Sequence, residues 1–471
     1  EENKTFPEHS SSEMDIHKMR IAAAEFYRKN GVPAIIERAL NELFLRQPAD
    51  VHGYLANFFL ELSTPPRISN LRGREVFSEN GQLIVEVEVF SIVCNREKVK
   101  VIQKSSTTST QMKNKLGGKK PLTFHLFFFY ISGKKSVVDE KQFPPAEPPE
   151  PVLLEGMAVG SVSLAVAKSG AKIKGMPLYK YISALKNQKE PAHFHVPVPW
   201  ISLLSCGKKS PGKLCLLEEI ILISKVGHPV KQVLISVGLC EYSKITLSSV
   251  SHNGVLTASC ERPEQPLDLI SNACTNLKVP LGVDVFLALN CAAPKLVDYS
   301  KGKYEVATGG LKSPDELIEV YHNLISKYPA VVAVIDPFRR EVKQWKKLSN
   351  RIEISCSLLS DITHKPQAPA LPGVHGYVFR HANETTVSDI IHATFCYQGG
   401  RCCVCVCAVG LGLDYVKLGG LGGAETMAKY NRLIAIEEEL AQQGLLGSSI
   451  YKNSWEKLTM NVKWPLTVAA L

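Results

Sequence analysis

Two adjacent stretches near the start of the chain carry apolar residues at helical spacing. Val32, Ile35, Ile36, Ala39, Leu40 and Leu43 fall at i, i+3, i+4, i+7, i+8 and i+11, and Val51, Tyr54, Leu55, Phe58, Phe59 and Leu62 repeat that phase. Each set covers one face of a helix. Pro33 suits a first helical turn, Gln47-Pro48-Ala49-Asp50 breaks the connection, and Pro65-Pro66 stops the second helix. Two helices of this length cannot enclose both stripes alone, so the spacing predicts a hairpin within residues 1–66 that pairs with a second copy of itself, the alternative being a hairpin packed against the chain's own globular body.

The pattern then changes period. In Val85-Glu86-Val87-Glu88-Val89-Phe90 apolar and charged residues alternate, and Asn80-Gly81 just upstream is a tight-turn signal, so a β-hairpin is predicted. Residues 67–190 as a whole read as an α+β module. Between these parts, residues 98–151 read as an insertion or linker. Ser105 to Thr110 is polar and of low complexity, and Phe143 to Pro151 is proline-dense; neither can build a packed core.

From about residue 191 to 471, apolar runs alternate with helical stretches, which predicts an α/β barrel. The plainest run is Tyr328 to Phe338. It is unbroken and ends in Asp336-Pro337, as a fully buried parallel strand would when it delivers an acid to a barrel rim. Ser313-Pro314-Asp315-Glu316 leads into it as a helix start with a capping box.

Bulk composition narrows the classes. A chain of 471 residues, 45% hydrophobic and 21% charged, is an ordinary folded protein of about two to four domains. The formal charge of +10 is scattered along the chain, which argues against a nucleic-acid-binding surface. No apolar run is long enough to span a membrane, Leu126 to Ile131 being too short, and Glu1-Glu2-Asn3-Lys4 opens no signal sequence, so a cytoplasmic protein is expected. Thirteen cysteines, an odd number spread through apolar segments, read as reduced core thiols. The dense cluster Cys402 to Cys407 reads as a buried strand with Cys403, Cys405 and Cys407 on one face; a soft metal would suit that face, but no His or paired-Cys motif accompanies it.

Several segments carry family resemblances. Tyr27 to Leu62 resembles the dimerization/docking hairpin of the regulatory subunit of cyclic-AMP-dependent kinase and its relatives in ciliary and flagellar scaffolds. That likeness implies a homodimer that binds an amphipathic helix of an anchoring protein. The hairpin after Gly73, the helix pair Ser161 to Tyr179, the run ending in Asp336-Pro337-Phe338, Tyr415 to Gly419 and Ala428 to Leu440 are similar to the corresponding parts of enolases. The chain as a whole resembles the divergent, sperm-associated enolases of vertebrates. The implied architecture is an enolase-like α+β domain followed by an α/β barrel. The implied activity is the carbon–oxygen lyase step of glycolysis that converts 2-phosphoglycerate to phosphoenolpyruvate with magnesium, and the implied location is a flagellar or ciliary scaffold.

Carried over residue by residue, the resemblance gives a damaged site. Enolases hold magnesium with three carboxylates on successive strand ends, a hard-oxygen set. Asp284, in Gly282-Val283-Asp284, matches the first; Ile335 stands at the second; the third falls at Ser357, leaving Asp336 or Asp361 to be recruited. Glu218, in Leu214 to Glu219, corresponds to the glutamate that handles the leaving hydroxyl. Lys209 replaces a histidine in the preceding turn, and His252 stands where a second glutamate belongs. Arg380 occupies the place of the proton-abstracting lysine, and arginine stays protonated. The phosphate-gripping Ser-His-Arg-Ser-Gly motif is absent, a shorter interval from Phe395 to Cys407 taking its place. Lys417 matches the lysine that binds the substrate carboxylate, and Gly419 to Gly423 reads as a flexible barrel turn. Two functions therefore stand as expectations: an enolase-type lyase, weak or lost in this chain, acting through Glu218, Lys417 and Asp284, or a catalytically silent enolase fold serving as a scaffold or tether.

Overall fold

The computed structural model of the chain describes residues 13–77, 83–104, 158–188, 191–206, 216–225, 227–233, 249–251, 254–258, 260–307, 309–340, 342–352, 355–362, 371–379, 385–396, 405–447 and 468–470. Its contacts gather into two units, Glu1–Ser69 with Ser91–Lys98, and Asn70–Phe90 with Val99–Leu471.

In the first unit three helices follow one another: α1 (Glu13–Lys29), α2 (Val32–Arg46) and α3 (Val51–Glu61). The two striped segments are helical as the spacing predicts, while α1 lies upstream of the predicted hairpin. Gly31, at φ +63°, makes the bend into α2, a left-handed conformation that costs glycine little. Asp50 caps α3, its carboxylate accepting the Gly53 N–H at 2.9 Å. Ala39 and Phe58 are buried, but Ile36, Leu40 and Phe44, four residues apart along one line of α2, are 42%, 54% and 74% exposed.

Next come β1 (Arg67–Phe77), β2 (Leu83–Val93) and β3 (Arg96–Lys104), a three-stranded sheet in that order. The predicted alternation is real. Val87 and Val89 pack with Ala165 of α4 (Val159–Ile173), while Glu86 and Glu88 project from the opposite face and pair with Arg74 and Lys100. The Asn80-Gly81 turn and residues 105–157 lie outside the described residues. The expected insertion begins too early, because Arg96–Lys104 is strand; its own Lys98, Lys100 and Val101 continue an alternating pattern. Helix α5 (Leu178–Asn187) follows α4.

Eight strands then close on themselves. In barrel order they are β4 (Val198–Ser205), β5 (Glu219–Ser224), β8 (Val285–Asn290), β12 (Val331–Ile335), β13 (Ser357–Asp361), β14 (Gly376–Phe379), β16 (Val468–Ala470) and β15 (Tyr415–Gly419), which returns to β4. All neighbours are parallel except β5, which runs antiparallel to both β4 and β8. Two short strands, β6 (Ser249–Val250) and β7 (Leu256–Thr257), extend from β4, and β9 (Val297–Asp298), β10 (Lys303–Ala307) and β11 (Gly310–Lys312) form a separate small sheet.

The interior is filled by inward side chains that include Trp200, Ile223, Ala288, Ile335, Leu359 and Tyr415. Outside the strands run α6 (Glu264–Asn276), α7 (Pro314–Lys327), α8 (Val342–Ile352), α9 (Val387–Cys396), α10 (Cys405–Leu411) and α11 (Ala424–Gln442), whose apolar faces share the main core with the outward strand residues. The capping box is present: Ser313 accepts the Glu316 N–H, and Glu316 accepts the Ser313 N–H at 2.7 Å. That fixes the start of α7 and buries Leu317, Tyr321 and Leu324 beside β12, where all five strand residues are buried.

One element departs from expectation. The cysteine-rich run is helical from Cys405 on, not a strand; Cys402, Cys403 and Val404 lie outside the described residues. A short, wholly apolar run has no period to separate the two states, and helix packing decides here. Gly410 lies so close to α5 that a Cβ on it would fall 2.4 Å from the Tyr179 carbonyl oxygen. The seventh place in the barrel, between β14 and β15, is taken by the C-terminal β16.

Candidate active site at the barrel mouth

The C-terminal ends of the parallel strands and the start of antiparallel β5 converge on one rim. Glu219 opens β5 with the same parity as Ile221 and Ile223, so its carboxylate turns into the barrel. Lys417 shares the parity of inward Tyr415 on β15. The two side chains form an ion pair, and both are largely enclosed, with side-chain exposures of 15% and 13%. Asn290, the last residue of β8 and the register partner of Glu219, donates its amide to the same carboxylate at 3.4 Å. Burial pushes the Glu219 carboxyl up, but the Lys417 ammonium and the hydrogen bonds outweigh it and hold the group below its ordinary value.

Glu218 takes the other direction. Both its oxygens accept from the exposed Lys295 ammonium, at 2.9 and 3.0 Å, while its own N–H donates to the Asn290 carbonyl. The structure thus brings Glu219, not Glu218, to Lys417. Nothing in the apolar run distinguishes the two neighbours, because Ile220 to Ile223 is apolar on both faces and conceals the parity.

Asp336 follows β12 with φ +47°, a conformation uncommon for residues other than glycine. Its backbone is held on both sides, N–H to the Leu359 carbonyl and carbonyl to the Ala293 N–H, and its Oδ1 accepts the Asp361 N–H at 2.9 Å. Burial holds the Asp336 carboxyl well above the usual carboxylate range, the nearby Asp361 adds to this, and Arg340 and Lys295 offset part of it. Ile335 is 3% exposed within the apolar barrel lining.

Asp284 is elsewhere. It precedes β8, six residues and roughly 20 Å of strand before Asn290, and lines a cleft of about 230 Å³ with Ser224, His228 and Lys278 at the opposite end of the barrel. Ser357 likewise begins β13, and the residue that ends it is Asp361. Gly282-Val283-Asp284 resembles a strand end, but the strand starts after it; its rim residue is Asn290. Lys209, His252 and Arg380 lie outside the described residues. Within the glycine run Gly422 donates to the Gly254 carbonyl at 3.0 Å, and a Cβ on Gly420 would sit 2.1 Å from that oxygen.

A magnesium site would need hard oxygens converging on the rim. The strand ends offer an amide at Asn290, an alkyl group at Ile335, and Asp361 beside a buried Asp336 that already accepts a backbone N–H; Glu219 is engaged by Lys417. Among the described residues no group of three His, Cys, Asp or Glu side chains could hold a metal ion. The described residues therefore do not fit magnesium as the family binds it.

The described strands thus form an eight-stranded α/β barrel with an antiparallel second strand and a charged pair at its rim. Residues 193–363 match the family described as Enolase, C-terminal TIM barrel domain. The chain is 37% identical to Enolase 4 of Danio rerio, over 98% of this chain and 100% of that one, and 32% identical to Enolase 4 of Homo sapiens, over 92% and 90%. Enolase of Methanopyrus kandleri is 27% identical over 60% of this chain and 71% of its own. The chain belongs to the enolase family. No helix among the described residues is long and apolar enough to cross a membrane.

Proposed function

We propose that this chain is an enolase-family protein whose dehydration of 2-phosphoglycerate to phosphoenolpyruvate is weak or lost, and that it acts as a dimeric structural or tethering component. The observation that carries this reading is the Lys417–Glu219 pair flanked by Asn290 and Ile335. The lysine expected to receive a substrate carboxylate is already neutralised by a protein carboxylate, and two strand ends that would hold metal carry an amide and an alkyl group. With Arg380 at the place of the base, the proton abstraction loses a group worth about 10²- to 10⁴-fold in rate. The helical unit supports the structural half: α2 exposes a line of large apolar residues suited to a second copy and to an amphipathic helix of an anchoring protein. A ciliary or flagellar setting in the cytoplasm follows from the likeness of that hairpin to docking modules of such scaffolds.

The retained-lyase reading draws on Asp336 and Asp361, acids at the right rim if not in the family's arrangement. Ultraviolet detection of phosphoenolpyruvate from 2-phosphoglycerate decides between them. Formation at most marginally above background, with or without magnesium, is expected; robust magnesium-dependent formation that disappears in Lys417→Ala overturns this reading.

A further inference from the structure

The strand that opens the barrel ends at Ser205, and the next residue, Cys206, meets a second buried thiol. Cys206 Sγ lies 3.7 Å from Cys260 Sγ, although the two are 54 positions apart in the chain. Both are almost fully enclosed, 1% and 2% exposed. The approach is set by the backbone: Ser205 pairs with Thr257 across β4 and β7, the Ala258 N–H donates to the Ser205 carbonyl at 3.0 Å, and Cys260 follows two residues on. The Cys206 N–H donates to the Glu218 carbonyl, which joins the thiol pair to the start of β5, where Glu218 and Glu219 sit.

We propose that Cys206 and Cys260 are a site of reversible covalent modification, a dithiol that closes to a disulfide beneath the barrel rim when a low-molecular-mass disulfide such as oxidised glutathione is the oxidant. One protein thiolate attacks the glutathione disulfide, whose S–S bond breaks and releases one glutathione thiol. The second protein thiolate then attacks the mixed disulfide, forms the protein S–S bond and expels the second glutathione. Two protein thiols are oxidised, one small disulfide is reduced to two thiols, and the two protons pass to the released glutathione. From 3.7 Å the sulfurs must approach by about 1.7 Å to reach bonding distance. The hydrogen bond from Cys206 also holds the Cys260 thiol below its ordinary value against the effect of burial, which favours the attacking thiolate. The bond would tie the end of β4 to the segment after β7 and fix the entry to β5.

The test is a thiol map of the whole protein. Native protein is incubated with oxidised glutathione, unfolded in the presence of iodoacetamide, digested and analysed by mass spectrometry. A peptide pair joining Cys206 to Cys260, two hydrogens lighter than its parts and lost on treatment with dithiothreitol, is expected, with alkylation of both residues falling together. In Cys206→Ser the linked pair vanishes and Cys260 is recovered alkylated or as its glutathione adduct. If half-buried Cys94 takes up glutathione while Cys206 and Cys260 both remain fully alkylated, or if either links to a different cysteine, the proposal is overturned. Because the wild-type map alone decides, a poorly folding variant does not leave the question open.

Discussion

Lys417 on β15 and Glu219 on β5 form an ion pair across the barrel mouth, each largely shielded from water. Removing one partner strands the other's charge, so Lys417→Met is expected to cost about 3–5 kcal/mol in chemical denaturation, whereas Lys417→Met with Glu219→Gln costs less than the sum of the single changes. The pH dependence has a definite sign. The Glu219 carboxyl is held below its ordinary value, so its contribution is present above the unfolded-state pKa near 4.3 and is lost as pH falls through the folded value. The stability gap between wild type and Glu219→Gln should therefore narrow below about pH 4. A gap independent of pH would mean that the pair contributes no net charge stabilisation.

The rim also predicts its own repair. Asn290 and Ile335 end neighbouring strands in register, Ile335 opposite Asn290. Thermal unfolding of the wild type is expected to be unmoved by millimolar magnesium. Asn290→Asp with Ile335→Glu places two new carboxylates beside Asp336 and Asp361; without metal this variant should melt earlier from mutual repulsion, and magnesium should raise its midpoint. Metal at a hundred times its dissociation constant contributes about 2.7 kcal/mol. A wild-type midpoint that climbs with magnesium would show that the present donors suffice.

What can be read beforehand follows from which signals are local. The apolar run Val331 to Ile335 and the Ser313/Glu316 box state their structures within a few residues, and both hold. The Lys417 strand is equally plain, because its apolar neighbours leave one charged side chain for the rim. The choice between Glu218 and Glu219 is hidden because β5 is apolar on both faces, so a shift of one residue leaves the pattern intact. The end of β8 on which Asp284 falls is hidden for a related reason: Val285 to Leu289 is apolar throughout, and neither polar neighbour, Asp284 or Asn290, marks which end is the rim. The three-residue β16 carries no period, and its partners β14 and β15 are distant in sequence, so only the closed barrel identifies it.

Asp336 should titrate in the opposite sense to Glu219. Burial and Asp361 raise its folded pKa above the unfolded value near 3.9, so the folded state holds the proton more tightly and stability falls as pH rises through that interval. Asp336→Asn removes the burden while keeping an acceptor for the Asp361 N–H, and asparagine tolerates the positive φ. The variant is expected to melt higher than wild type at about pH 7, with the difference closing toward about pH 4. Differential scanning calorimetry across that range checks it; a variant that melts lower at neutral pH would show that the Asp336 carboxylate is stabilised by Arg340 and Lys295 more than burial opposes it.

Leu40 and Phe44 stand one helical turn apart on α2 and are more than half exposed, with Ile36 a turn before them. A row of this size left to water favours association, and its burial against a second copy would contribute about 25 cal/mol for each Å² covered. Charge on that row should abolish it: Leu40→Asp with Phe44→Asp is expected to convert a dimer to a monomer in light scattering behind size exclusion, while leaving the far-ultraviolet circular dichroism unchanged because neither side chain is needed inside α2. A wild-type chain that elutes as a monomer at micromolar concentration would remove the second copy as the occupant, and with it the composite surface on which an anchoring helix is expected to dock.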